Sequence, residues 1–462
     1  GTRMVRFTTA ALICSTFVIL GAVISGAGAA HTLGKLGSVN ALAGSFMAAL
    51  SAALTVYWMT RIGLPVSTTQ AIVGAIIGWN LFSESITDFN TLIKILGTWI
   101  ACPVLAGLLA APIFKGVQAY LRWAKIHLLR LDAYTRLALI LAGAFGAYSL
   151  GANNIANVMG VFVPVSPFTD LRVADLFAFT SAQQLFLLGA VAIGVGVFTY
   201  SKKVMLTVGS EITRLSPAAA WVVVMSHSIV LFLFASEGLE NLLARAGLPT
   251  IPLVPVSSSQ AVVGAVVGIG LLKGGKEIRW RLLANIGAGW VATPIISATV
   301  CFVALFFLQN VFNQQVYREV HYALSPSVMG RLVAAGIPVE DFAELTGREF
   351  RSSRAFRDVL SERSDLTASQ ESKTLYYAEL AGLSFDPVKV DALEADWLSE
   401  GQVAAIRRLT GRTFTHKWAV AEALARESEE WKLREETKVN KIYNKEIRRK
   451  LEFVYRTFGV GE

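Results

Sequence analysis

The chain has 462 residues, of which 54% are hydrophobic and only 16% charged, with a formal net charge of +9. A mean hydropathy of +0.52 excludes a water-soluble protein for most of its length. Residues 1–310 hold 19 of the 42 basic and 9 of the 33 acidic side chains, so an apolar part is followed by a polar tail.

Taken in order, apolar stretches run near 8–27, 38–60, 91–114, 136–161, 174–199, 217–236 and 282–310. Each approaches the roughly 20 residues that a helix needs to cross a bilayer. The expected class is an all-α integral membrane protein. Residues 1–312 would form its polytopic domain, with halves of about 1–116 and 135–312 and a linker at 117–134. Cys14, Cys102 and Cys301 lie in apolar segments and indicate no disulfide framework. No cleavable signal peptide is apparent.

Two further stretches, 64–82 and 254–272, carry a duplicated motif. Pro65-Val66-Ser67-Thr68-Thr69-Gln70 and its apolar, glycine-spaced continuation return without a gap at Pro255-Val256-Ser257-Ser258-Ser259-Gln260. Proline favours the first turn of a helix, where free backbone N–H groups and the positive dipole end lie. Three hydroxyls at such an end, inside an apolar segment, suggest a neutral-donor site for an anion. One copy alone would read as an ordinary helix N-cap; two copies at corresponding positions read as a binding site. The duplication extends to Trp99-Ile100-Ala101-Cys102-Pro103 and Trp290-Val291-Ala292-Thr293-Pro294.

Between the copies, Gly151-Ala152-Asn153-Asn154-Ile155-Ala156-Asn157 places three asparagines within an apolar span. Such groups are costly in a membrane unless they bind a ligand or one another. Asn153 and Asn157 share a helix face. Helix-packing glue is the alternative reading.

Loop charge bears on topology. If both serine stretches carry the chain across as broken helices, one side collects Arg3, Arg6, Arg61 and the basic loops 115–136, 200–214 and 273–281. The other side collects Glu84, Asp88, Asp170, Asp175, Glu237 and Glu240 with few basic residues. That is the asymmetry of the positive-inside rule. If the serine stretches are re-entrant, the asymmetry weakens. Duplicated halves with an odd number of crossings each would be inverted, with a site between them.

The tail, 313–462, is expected to be a small all-α soluble domain. It carries an echo, Leu345-Thr346-Gly347-Arg348-Glu349-Phe350 and Leu409-Thr410-Gly411-Arg412-Thr413-Phe414. Gly347 and Gly411 sit where a helix C-cap glycine belongs. Residues 416–457 read as one long helix. The tail's near-zero charge gives no nucleic-acid partner, and no catalytic constellation appears in either part, so no enzyme is expected.

The segment from Gly151 to Gly160, with both serine repeats, resembles the inorganic phosphate transporter (PiT) family, which carries a Gly-Ala-Asn-Asp-Val-Ala-Asn signature and a Pro-Val-Ser-Thr-Thr-His signature in each half. Lys202–Met205, Val208–Thr213 and Trp280-Arg281 add to the resemblance, which covers about residues 1–310. It implies a symporter of a tetrahedral oxyanion, usually phosphate, driven by Na⁺ or H⁺, with an inverted repeat and a homodimer. The anion donors would be Ser67, Thr68, Thr69, Asn153, Asn154, Asn157, Ser257, Ser258 and Ser259. A bacterial inner membrane is the expected location, with no cofactor beyond the coupling ion.

The departures are specific. The first-half asparagine signature is absent, and residues 1–10 look like the segment after it, so a first helix is expected to be missing. The family's aspartate is Asn154 here, its histidines are Gln70 and Gln260, and its membrane glutamates align with Val18 and Val224. Coupling-ion candidates are therefore Gln70, Asn154, Gln260 and the mid-span His227, with no metal expected beyond Na⁺ at Asn154. An all-donor site suits sulfate, which carries no proton, as well as phosphate. A sulfate-permease branch of the family also has asparagine at the position of Asn154. The third reading is a non-transporting anion sensor that signals through the tail.

Overall fold

The structure is a computed structural model that describes residues 5–459 apart from 38, 65, 169–170, 174–176, 200, 202–215, 277, 394–396 and 438–439. The Lys202–Thr213 motif and Pro65 thus lie outside the described residues. The chain forms two compact units: Gly1–Ser83, Thr87–Glu240 and Ile251–Tyr317 make one, and Glu84–Ile86, Asn241–Thr250 and Arg318–Glu462 the other.

Among its described residues the first unit is built mainly of helices. In order they are α1 (Phe7–Ser25), α2 (Ala27–Leu36), α3 (Leu42–Arg61), α4 (Thr68–Phe82), α5 (Phe89–Ala124), α6 (Leu128–Met159), α7 (Ser181–Thr199), α8 (Pro217–Ala235), α9 (Glu237–Arg245, divided between the units), α10 (Ser258–Leu272) and α11 (Trp280–Asn310). Among the described residues seven segments are long and apolar enough to cross a membrane, and they coincide with the seven expected spans. The expected linker at 117–134 is helical at both ends, since α5 runs to Ala124 and α6 starts at Leu128. Lys125, in left-handed conformation, makes the break.

In each serine stretch a serine in extended conformation leads into a short helix. At 15 residues each, α4 and α10 are about 22 Å long, short of a hydrocarbon core of about 30 Å. Each begins one residue after a serine N-cap, Ser67 or Ser257. Pro255 lies in the extended chain before the cap. The expectation that proline occupies the first helical turn is therefore corrected there. A serine hydroxyl that accepts the third helical N–H fixes the start instead.

The two halves exchange partners. Helix α4 packs along α11, and α10 packs along α5. A Cβ added at Gly74 would overlap the Pro294 carbonyl, and one added at Gly264 would overlap the Pro103 carbonyl. The duplicated glycine of each half thus seats the backbone of the other half's proline-bearing span. Glycine is required because the backbones touch. Two apolar cores follow: Ile72 and Ile76 of α4 pack with Cys301 and Leu305, and Val263 and Val266 of α10 pack with Cys102 and Ala106.

The tail is helical but not all-α: residues 322–323 (β3) pair with 349–350 (β4), and 383–384 (β5) with 413–414 (β6), both antiparallel. A third ladder, β1 (Leu171–Val173) with β2 (Phe177–Phe179), lies between α6 and α7. In the tail the LTGRxF echo supplies the second strand of each ladder. Gly347 and Gly411 have φ of +87° and +79°, and their N–H groups donate to Leu324 and Phe385. Each ladder belongs to a lobe with its own core, one around Phe342, Phe356 and Leu360, the other around Phe385, Trp431 and Phe458.

The single helix expected over 416–457 is corrected to α17 (Lys417–Glu427), a 3-10 turn at Glu429–Trp431 and α18 (Lys441–Phe458). The other tail helices are α12 (Pro326–Ala334), α13 (Ser353–Arg363), α14 (Ala368–Ala378), α15 (Pro387–Asp391) and α16 (Glu400–Arg408). Ser428 stops α17 and caps the turn, while Trp431 is buried and its indole N–H donates to the Gln402 carbonyl. Burying that indole outweighs the helix propensity of the surrounding Ala, Glu, Lys and Arg.

Candidate functional site

Helix α6 draws both serine stretches together. Asn157 Nδ2 donates to Thr69 Oγ1 at 2.9 Å and to Thr68 Oγ1 at 3.2 Å. One turn earlier, Asn153 Nδ2 donates to the Val254 carbonyl at 3.3 Å, and its Oδ1 accepts the Val256 N–H at 3.2 Å. The i, i+4 spacing that puts both asparagines on one face thus sends one to each half of the duplication. Thr69 closes the bridge by donating to the Val256 carbonyl at 3.2 Å.

The residues bracketing these contacts hold the extended chain before α10. Thr32 Oγ1 donates to the Leu253 carbonyl at 2.5 Å, and the Cys102 thiol donates to the Ser257 carbonyl at 3.5 Å. Sequence reasoning gave neither Thr32 nor Cys102 this role, because a contact to a distant backbone carbonyl leaves no motif.

The hydroxyls divide by role. Ser67 accepts the Gln70 N–H and Ser257 accepts the Gln260 N–H, so both are caps. Ser257 and Ser259 share a hydrogen bond at 3.1 Å. Ser258 and Ser259 are half-buried, and Thr68 is exposed. The N–H groups of the first turn, at Thr68 and Thr69 and at Ser258 and Ser259, lie outside the intrahelical ladder. Two helix N-termini therefore supply positive dipole ends and free donors beside the asparagines.

Acceptors are present as well. Oε1 of Gln70, Oε1 of Gln260, Oδ1 of Asn154 and Oδ1 of Asn157 are buried without a hydrogen-bond partner. A buried carbonyl oxygen without a donor is costly, so each is available to an incoming O–H or cation. Asn154 is half-buried next to Asn153. Among the described residues no group of three His, Cys, Asp or Glu could hold a metal ion.

His227, on α8, is buried and its Nε2 has no partner. Its neighbour Ser228 donates to the Val224 carbonyl at 2.6 Å rather than to the imidazole. Among the described residues no hydrogen bond joins His227 to the serine stretches. Val18 is fully buried, with its carbonyl against Gly151 of α6, so a hydrocarbon stands beside the asparagine helix where the resembled family carries a carboxylate.

Comparison with known proteins agrees with this architecture. Residues 1–301 and 248–444 match the Phosphate transporter family. A Methanocaldococcus jannaschii protein named as a phosphate permease is 28% identical over 302 residues, covering 65% of this chain and 86% of its own. The sulfate permease of Bacillus subtilis is 26% identical over 320 residues, covering 66% and 80%. A solved structure described as the sodium-dependent phosphate transporter aligns with a TM-score of 0.51 at 24% identity, over 67% of this chain and 92% of its own, and shows the shared fold. With seven helices among the described residues long and apolar enough to cross a membrane and a family match over most of its length, this integral membrane protein belongs to the Phosphate transporter family.

Proposed function

We propose that the protein is a secondary active transporter of inorganic phosphate, coupled to Na⁺ or H⁺ and working in a cytoplasmic membrane. The observation that carries this reading is the pairing of two serine-capped helix N-termini, one from each half, by Asn153 and Asn157 of a single helix. A tetrahedral oxyanion would take N–H and O–H donors from Thr68, Thr69, Ser258 and Ser259. The reciprocal packing of α4 on α11 and α10 on α5 supports an inverted repeat with the site between its halves.

The orphaned amide oxygens favour phosphate over sulfate. Phosphate near neutral pH carries at least one P–O–H, which can donate to one of them, whereas sulfate brings no donor. They equally suit a Na⁺, which takes neutral oxygen ligands. A second reading, sulfate transport, is supported by the absence of Asp and Glu from the described residues of this constellation. An oxyanion that never carries a proton needs no carboxylate to receive one.

Uptake of labelled phosphate into proteoliposomes, with a Na⁺ or a proton gradient imposed in turn, tests the reading. We expect gradient-driven phosphate accumulation that excess sulfate competes poorly. Sulfate uptake displacing phosphate would support the second reading. Binding without flux of either anion would overturn both in favour of a sensor.

A further inference from the structure

The second compact unit is more than the tail. It includes residues 84–86, which begin one residue beyond the C-cap of α4, and 241–250, which end just before the extended chain leading to Ser257. Each segment therefore adjoins one of the two serine helices, one from each half of the duplication.

The tail's lobes divide these segments between them. The first lobe holds 84–86 at the N-terminus of α13. The Arg354 N–H donates to the Glu84 carbonyl at 3.3 Å, Ser352 Oγ donates to Glu84 Oε2 at 3.1 Å, and Ser353 Oγ accepts the Ile86 N–H at 3.1 Å. Glu84 is held with φ of +54°, a strained conformation for a residue with a side chain, which persists only where its surroundings impose it. The second lobe holds the other segment through Lys441, which donates to Thr250 Oγ1 at 2.6 Å.

The lobes are themselves joined. Arg331 pairs with Glu422, the Trp418 indole donates to the Tyr377 carbonyl at 3.0 Å, and Lys417 pairs with Glu379 at 2.5 Å. Independently, within the first unit, the chain entering the tail is fastened to α4: the Trp79 indole donates to the Val316 carbonyl at 3.0 Å, with both residues buried.

We infer that the C-terminal unit is an autoinhibitory clamp on transport. The proposal rests on the transporter reading above. Exposure of a central site to alternate sides of the membrane requires the two halves to shift against one another. A joined pair of lobes that holds the 84–86 turn of one half and the Thr250 segment of the other opposes that shift. Turnover requires the clamp to loosen, and whatever loosens it sets the rate.

The test uses the full chain in proteoliposomes. In the double variant Ser353→Ala with Lys441→Ala, the first lobe loses its hold on the Ile86 N–H and the second its hold on Thr250, while the Ser352 cap of α13 and its bond to Glu84 stay. Loss of hydrogen bonds of ordinary strength predicts a rise in initial anion flux of about threefold or more. The locked variant Ile86→Cys with Ser353→Cys, once oxidised, should lose most of its flux and regain it on reduction. Unchanged or lower flux in the loosened variant, or full flux through the locked one with the disulfide formed, would overturn the clamp. A parent protein that moves no anion would instead sink the transport reading, which keeps the two failures apart.

Discussion

Asn153 and Asn157 sit on one helix face and do different work. Both polar ends of Asn153 are spent on backbone groups of Val254 and Val256, so it shapes the chain that leads to Ser257. Asn157 spends its N–H donors on Thr68 and Thr69 and leaves Oδ1 open. Asn153→Ala would strand a buried carbonyl and a buried N–H, a cost of about 2–4 kcal/mol for the pair. We expect it to lower the thermal stability of the detergent-solubilised protein and to abolish anion binding. Asn157→Ala strands only hydroxyls that can turn elsewhere, so stability should change by about 1 kcal/mol or less while anion affinity falls at least tenfold. Equal stability losses in the two variants would contradict this division. The sequence revealed which residues to inspect, because three asparagines and two hydroxyl triplets are conspicuous in an apolar chain. It could not reveal which were committed, since the partners of Asn153 are main-chain atoms about a hundred residues away.

At the scale of elements, apolar length made all seven spans legible, and the gapless repeat located α4 and α10. The short helices α2 and α9 were not legible. Each is too short to span, and each follows a break at a single residue, Gly26 or Ser236. The exchange of partners between halves was also hidden, since periodicity records that a glycine faces something and not what it faces. The exchange is testable. Gly74→Ala and Gly264→Ala each drive a methyl into a carbonyl of the opposite half's span, and neither backbone can retreat without shifting a helix. Each should destabilise the protein by about 2 kcal/mol or more, read as a drop in melting temperature in detergent. Gly143→Ala, on α6 with nothing within 4 Å of the added carbon, should leave the melting temperature unchanged. A Gly264→Ala protein as stable as the Gly143→Ala control would mean that α10 does not lie on α5 in this way.

For the whole molecule, hydropathy left open whether the serine stretches cross the membrane or return to the side they came from. The composition of the second unit bears on that choice. Residues 84–86, 241–250 and 318–462 fold together, and so must leave the membrane at one face. With the seven long spans of the described residues, re-entrant serine stretches would put the tail on the face opposite 84–86 and 241–250. If only the first stretch crossed, the tail would again be separated from both segments, so the second stretch must cross, and its crossing alone already brings all three to one face. Crossing by both stretches also places all three together, and of these two arrangements it is the one that puts Arg6 and Arg61 on the face of the other basic segments. That arrangement gathers Arg6, Arg61, the basic residues around the break at Lys125, and Lys273 with Arg279 on the other face, which the positive-inside rule makes cytoplasmic. In a variant with Cys14, Cys102 and Cys301 replaced, a single cysteine at Lys125 should therefore react with an impermeant maleimide only once the cytoplasmic face is opened. Single cysteines at Glu84 and at Thr346 should both react in intact cells. Labelling of Glu84→Cys and Thr346→Cys from opposite faces would break the one-unit argument. Labelling of both from the cytoplasmic face would keep it and reverse the orientation.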